Sequence, residues 1–161
     1  MGLYAEKYSI LAHDHLGFGK SDKPYDYSYS LIDQADYAIK LCERLNLQKI
    51  HLIAHDYGTS VATEIIARNN NKQLQIDLQS VTLCNGSMLI DMAKLRPIQR
   101  ILKNKWIGPF IAKFSSSNVF HRNMRNIWYE PNLYDQEYMQ EHWNLLISKE
   151  GRKVLSKITI T

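Results

Sequence analysis

The chain has 161 residues, 45% of them hydrophobic and 22% charged, with a formal net charge of +4. That balance excludes a disordered or fibrous chain and fits one globular domain of ordinary size. No apolar run approaches the roughly 20 residues of a transmembrane segment.

From the N-terminus, Met1-Gly2 does not complete an N-myristoylation signal, because Glu6 stands where Ser or Thr is needed. Asp14 interrupts the first apolar stretch before a secretion signal could form. The first strand signal is Tyr8–Ala12. Residues 31–45 then repeat apolar positions at helical spacing (Leu31, Ala35, Ala38, Ile39, Cys42, Leu45), with Ser30 and Asp33 offering a capping box. A second strand, Ile50–Ala54, runs into a helix over 59–68 whose core face carries Val61, Ile65 and Ile66. A third strand is expected at Ser80–Leu83. Strand, helix, strand, helix, strand at this spacing predicts parallel pairing, so the fold class is α/β.

After Asn85-Gly86 the pattern changes to short helices, with breaks expected at Pro97, Gly108-Pro109, Ser115–Ser117 and Pro131. The clearest helix spans 135–151, with Tyr138, Trp143, Leu146 and Ile147 along one side. The expected organisation is an α/β unit over 1–87 followed by an all-helical unit over 88–161. Charge divides the same way: residues 1–87 hold 8 Lys/Arg against 10 Asp/Glu, and residues 88–161 hold 12 against 6. The basic stretch 94–105, with Leu95, Ile98, Ile101 and Leu102 at helical spacing, could favour an acidic surface or membrane headgroups. A solvated helix face is preferred because the stretch is short and contains Pro97. Cys42 and Cys84 are expected as two buried reduced thiols in a cytoplasmic protein.

Two motifs mislead. Gly19-Lys20-Ser21 ends like a phosphate-binding P-loop, but Asp14 occupies the position of the first glycine and would repel a phosphate. Gly17-x-Gly19 opens like a dinucleotide fingerprint, but Asp22 replaces its third glycine. Neither a nucleotide cofactor nor nucleic acid is therefore expected. His13/His15 and His51/His55 each share a strand face, yet no further ligand cluster joins them, so no metal is expected.

The informative corner is Ala54-His55-Asp56-Tyr57-Gly58. An apolar strand, a tight turn with small residues two before and two after Asp56, and then a helix make the layout of a nucleophile elbow. An N-cap aspartate is the competing reading. The choice leans on the rest of the chain. "AHDHLGFGKSDKP" (12–24) resembles the strand-and-loop signature D-x-x-G-F-G-x-S-D-K-P of α/β-hydrolases in the haloalkane dehalogenase and epoxide hydrolase branch. "AHDYGTSVA" (54–62) is similar to their H-D-W-G or H-D-Y-G elbow. "SVTLCNGSM" (80–88) falls where their next strand falls, and 150–158 resembles the end of their cap. Within that branch Tyr57 and "LCNG" look closest to the mesoderm-specific transcript-like group.

The resemblance implies a partial parallel sheet of about three strands under a helical cap. Asp56 would be the nucleophile, with the backbone N–H of Tyr57 as an oxyanion donor. A carboxylate, ionised near neutral pH, would attack an sp3 carbon of a small-molecule substrate without help from a base, forming an alkyl ester that water then cleaves. Substrate class stays open between epoxide, haloalkane and ester. Tyr57 stands where the dehalogenases carry a halide-holding Trp, which speaks against halide release. Tyr129, Tyr134 and Tyr138 lie where lid tyrosines protonate an opening epoxide. The family's upstream H-G-x-P loop and its catalytic histidine have no match in these residues, so the chain is expected to be the middle of an enzyme. A short non-catalytic protein whose sheet edges pair with a partner is the alternative.

Overall fold

A computed structural model describes residues 2–86, 97–104 and 106–160 of the protein. Its elements run α1 (Gly2–Ala5), α2 (Leu31–Arg44), β1 (Lys49–His55), α3 (Tyr57–Asn70), β2 (Asp77–Cys84), α4 (Pro97–Leu102), α5 (Gly108–Lys113), α6 (Ser117–Arg125), α7 (Gln136–Ile147) and α8 (Gly151–Ile160). β1 and β2 pair in parallel, the geometry that the intervening helix α3 allows. Pairing is regular from His51↔Ser80 to His55↔Cys84 and shifts between Ile50 and His51. The expected strand at Ser80–Leu83 is thus the regular part of a longer strand that begins on polar residues.

Helices α2 and α3 cover one face of this ladder. Ala35, Ala38, Ile39, Val61, Ile65 and Ile76 form the core, with Ile50 and Leu52 packed against them. Alternation along β1 sends Ile53 to the other face, where it is 61% exposed, so it is not the buried strand residue its sequence suggests. α2 begins as expected: the Ser30 side chain accepts from the amide of Asp33 at 3.1 Å. The reciprocal half of the capping box is replaced, since Ser28 Oγ donates to the Asp33 carboxylate and accepts from the Ser30 amide.

The strand expected at Tyr8–Ala12 does not form. These residues run without ladder hydrogen bonds, and Tyr8, Ile10 and Leu11 are all exposed. A strand exists only beside a partner, and none lies alongside among the described residues, which leaves a two-stranded sheet. The second half is helical as expected, but its prolines and serines start helices rather than merely breaking them. Pro97 opens α4, Pro109 occupies the first turn of α5, and Ser116 caps α6 through the amide of Val119. The helix expected over 135–151 ends at Ile147, because Lys149 and Glu150 adopt φ of 47° and 61° before α8 begins. Its buried side chains are Met139 and Trp143; Tyr138 is exposed. Cys42 is half-buried, with burial pushing its thiol up, whereas Cys84 is exposed, contrary to the expected buried pair. The boundary expected at 87/88, and Leu95 of the basic stretch, lie outside the described residues.

The two halves are joined by a polar clasp. The loop at 14–25 is closed internally by Asp14, which accepts from the amide of Lys20 at 2.9 Å while its carbonyl accepts from Ser21 Oγ at 2.7 Å. Gly19 sits at φ 46° directly on the Asp14 carboxylate, where no side chain would fit. Asp14 therefore builds the turn from inside, the structural reason it occupies a place that a phosphate would need. Lys23, 6% exposed, donates from this loop to Gly19 O (2.8 Å) and to Ser148 Oγ (3.3 Å). Lys149 pairs with Asp22 at 2.7 Å, and Lys157 lies 4.2 Å over the Tyr25 ring.

Candidate active site

The strand-to-helix corner carries one of the positive-φ residues of the chain. Asp56 has φ 50° and ψ −120°, a region that ordinary L-residues avoid. Three hydrogen bonds hold it there. Its amide donates to Cys84 O at 3.1 Å, extending the β1–β2 ladder by one residue. Its carbonyl accepts from the Thr59 amide at 3.0 Å and from Thr59 Oγ1 at 2.6 Å. Thr59 is itself fully buried beneath Gly86, so the bond is shielded from water. Sequence reasoning missed Thr59, whose only local sign is a polar residue on the core side of an amphipathic helix.

This geometry decides against the N-cap reading. Asp56 occupies the N-cap position of α3, yet its side chain makes no capping hydrogen bond. Asp56 is exposed and stands at the carboxyl end of a parallel strand, at the amino end of α3, where the helix dipole favours negative charge. Tyr57 is the first residue of the helix. Its ring packs against Phe18 (5.0 Å between centroids) and His15 (5.6 Å), tying the elbow to the glycine loop. His55 is exposed on the face of the ladder that the helices leave uncovered.

Ala54 and Gly58 meet on the inner side of the turn. A methyl on Gly58 would lie 3.9 Å from the Ala54 methyl, ordinary contact distance. The corner therefore has room for one more carbon at 58, provided that Ala54 stays small.

His15 and His13 lie beside the elbow with rings 4.8 Å apart. Burial, then the neighbouring His13, lowers His15 to about 4, and burial lowers His13 as well. His15 Nδ1 is buried without a hydrogen-bond partner. His15 is thus a neutral imidazole near neutral pH. Gln34, also missed, is fully buried and grips the Leu16 backbone with both ends of its amide, at 3.1 and 2.8 Å.

Of the three lid tyrosines, two contact neighbours within the helical half. Tyr129 is 95% exposed. Tyr134 holds its hydroxyl 2.6 Å from His121 Nδ1, and Tyr138 packs its ring on His142 at 4.5 Å. The other nitrogen of His121 is bound to Gln140 Oε1 at 2.9 Å, so both are occupied. Among the described residues no group of three or more His, Cys, Asp and Glu is arranged to hold a metal, and no helix is long and apolar enough to cross a membrane.

A family model described as the alpha/beta hydrolase fold matches residues 2–121. LipZ of Mycobacterium tuberculosis is 36% identical over 141 residues, covering 88% of this chain and 49% of that protein. The mesoderm-specific transcript protein of Mus musculus is 28% identical over 98% of this chain and 48% of its own length. A haloalkane dehalogenase of Mycolicibacterium paratuberculosis is 36% identical over 66 residues, 39% of this chain and 21% of that enzyme. The solved structure of the epoxide hydrolase CorEH superposes with a TM-score of 0.74 at 20% identity, over 99% of this chain and 58% of its own. The chain spans about half the length of the first two relatives.

Proposed function

Because the chain belongs to the α/β-hydrolase fold family, with epoxide hydrolase and haloalkane dehalogenase relatives, we propose that Asp56 is the nucleophile of an ester-forming hydrolase and that its substrates are epoxides. The observation that carries the reading is the strained Asp56 backbone with its carboxylate uncapped. A carboxylate at φ 50° serves the helix poorly, since an N-cap works from extended backbone. Strain of that kind collects where a side chain must be presented to a ligand.

In the first step a carboxylate oxygen attacks the less hindered epoxide carbon. A C–O ester bond forms, the ring C–O bond breaks, and the alkoxide takes a proton from solvent or a nearby acid. The Tyr57 amide and the helix amino end stabilise charge at the corner when water later attacks the ester carbonyl. That second step requires a base. His15, held neutral against the Tyr57 ring, positions the elbow, and its low proton affinity makes it a poor base. Epoxides are favoured over alkyl halides because Tyr57 turns its ring to Phe18 and His15, and a tyrosine there supplies no indole N–H to a departing halide.

Ester formation precedes the step that needs a base, so trapping the adduct tests Asp56 directly. Incubation with an aryl epoxide should yield one adduct carrying the full mass of the epoxide, read by intact-protein mass spectrometry. Asp56→Asn should lower the labelling rate on the order of 10³-fold, since the amide is a far weaker nucleophile. Equal labelling of the two proteins would end the proposal.

A further inference from the structure

Residues 92–129 contain eight Lys/Arg and no Asp or Glu. Inside this acid-free tract α4 and α5 form a tight helical corner. Asn104 Oδ1 accepts from the amides of Trp106 (2.9 Å) and Ile107 (3.1 Å), and the Gly108 amide donates to Asn104 O at 2.8 Å. Gly108 packs so closely on the Leu102 carbonyl that a β-carbon there would collide with it. The corner is built, not frayed.

Its polarity is inverted for a helix in water. α5 buries its small residues, Gly108 and Ala112, and lies against α8. It turns its large ones outwards: Trp106 is 90% exposed, Ile107 51%, Phe110 64% and Phe114 65%. The Phe110 and Phe114 rings pack together at 4.7 Å, one turn apart on the same side. Arg100, Lys103 and Lys113 flank this patch and are all exposed. A monomer in water gains nothing from a cluster of exposed aromatics, and such a patch marks a contact surface.

We infer that the α4–α5 corner docks on an anionic lipid surface, with Trp106, Ile107, Phe110 and Phe114 entering the headgroup–acyl boundary. Charge complementarity selects this occupant. Apolar side chains flanked by Arg100, Lys103 and Lys113, in a tract of sequence free of carboxylates, match a layer that is apolar below and negative above. Trp at the rim suits the boundary because its ring is amphipathic. In the sequence the basic stretch 94–105 reads as a solvated helix face. The aromatic part follows it and became visible once α5 was seen to bury alanine and expose phenylalanine.

The test is co-sedimentation of the chain with phosphatidylcholine vesicles, with and without phosphatidylserine. The chain should sediment with the mixed vesicles, remain in solution with phosphatidylcholine alone, and be released by high salt. Trp106→Ser and Phe110→Ser should each weaken partitioning about tenfold, and Lys103→Gln and Lys113→Gln each about fivefold. Tyr4→Ser removes another exposed aromatic, outside the tract, and should change nothing. Circular dichroism of each variant separates lost binding from lost folding. The inference is overturned if Trp106→Ser and Phe110→Ser, both folded, sediment like the parent. It is equally overturned if the parent forms a lipid-free dimer that Phe110→Ser dissociates, for then a second copy covers the patch.

Discussion

Asp56 and Asp135 occupy the same nominal position, the N-cap of a helix, in the two halves of the molecule. Asp135 sits at φ −84°, and its side chain accepts from the Tyr138 amide at 2.9 Å, so its charge completes α7. Asp56 sits at φ 50° and makes no such bond; the neighbouring Thr59 restrains its backbone instead. One aspartate is consumed by its helix, while the other is held away from its helix by the surrounding structure. The difference teaches that residue type and position do not separate an aspartate that caps its helix from one that does not, whereas the backbone angle together with the hydrogen bonds of the carboxylate does.

Substituting both aspartates tests the comparison most severely. Asp56→Gly should abolish epoxide labelling and raise stability by about 1 kcal/mol in urea unfolding, since glycine tolerates the angle that aspartate endures. A fall in stability would mean that the carboxylate supports the fold after all.

Next in size is an acid effect on the elbow's surroundings. His15 in the unfolded chain takes up a proton near its ordinary value of ~6.5, while in the folded chain it stays neutral down to about 4. The unfolded state thus binds more protons across that window, and stability rises with pH. Stability should be complete above ~6.5 and fall by on the order of 2 kcal/mol as pH drops towards 4, after allowing for the partly exposed ring. Thermal unfolding of His15→Leu against the parent across this range measures it. A parallel pH dependence in the two proteins would remove His15 from the account.

Smaller again is the capping partner of the pair: Asp135→Ala should destabilise by about 1 kcal/mol, with labelling unchanged. The smallest effect belongs to Gly58→Ala, which should shift stability by less than about 0.5 kcal/mol because the added methyl meets Ala54 at 3.9 Å. Larger losses at this position would show the turn to be tighter than its geometry indicates.

What was legible in the sequence was what adjacent residues determine. The amphipathic run behind Ser30 became α2, the glycine-rich loop closed around Asp14, and the corner at Asp56 formed where small residues allowed it. What escaped depends on partners far along the chain. Tyr8–Ala12 has the composition of a strand but pairs with no strand among the described residues. The helix over 135–151 looked continuous, yet it stops where Ser148 and Lys149 are drawn to Lys23 and Asp22, more than a hundred residues away. Gln34 and Thr59 look like ordinary polar residues until the backbone they hold is seen.

The proposed role of Asp56 turns on which atom is alkylated. Cys84, whose carbonyl holds the Asp56 amide, offers an exposed thiol close by and is the natural competitor for any electrophile. Peptide mapping of the epoxide-labelled chain by tandem mass spectrometry distinguishes the two. Attack by the carboxylate predicts an adduct on Asp56 that mild alkali or hydroxylamine removes, as an ester requires. A stable thioether on Cys84, with Asp56 unmodified, would contradict it.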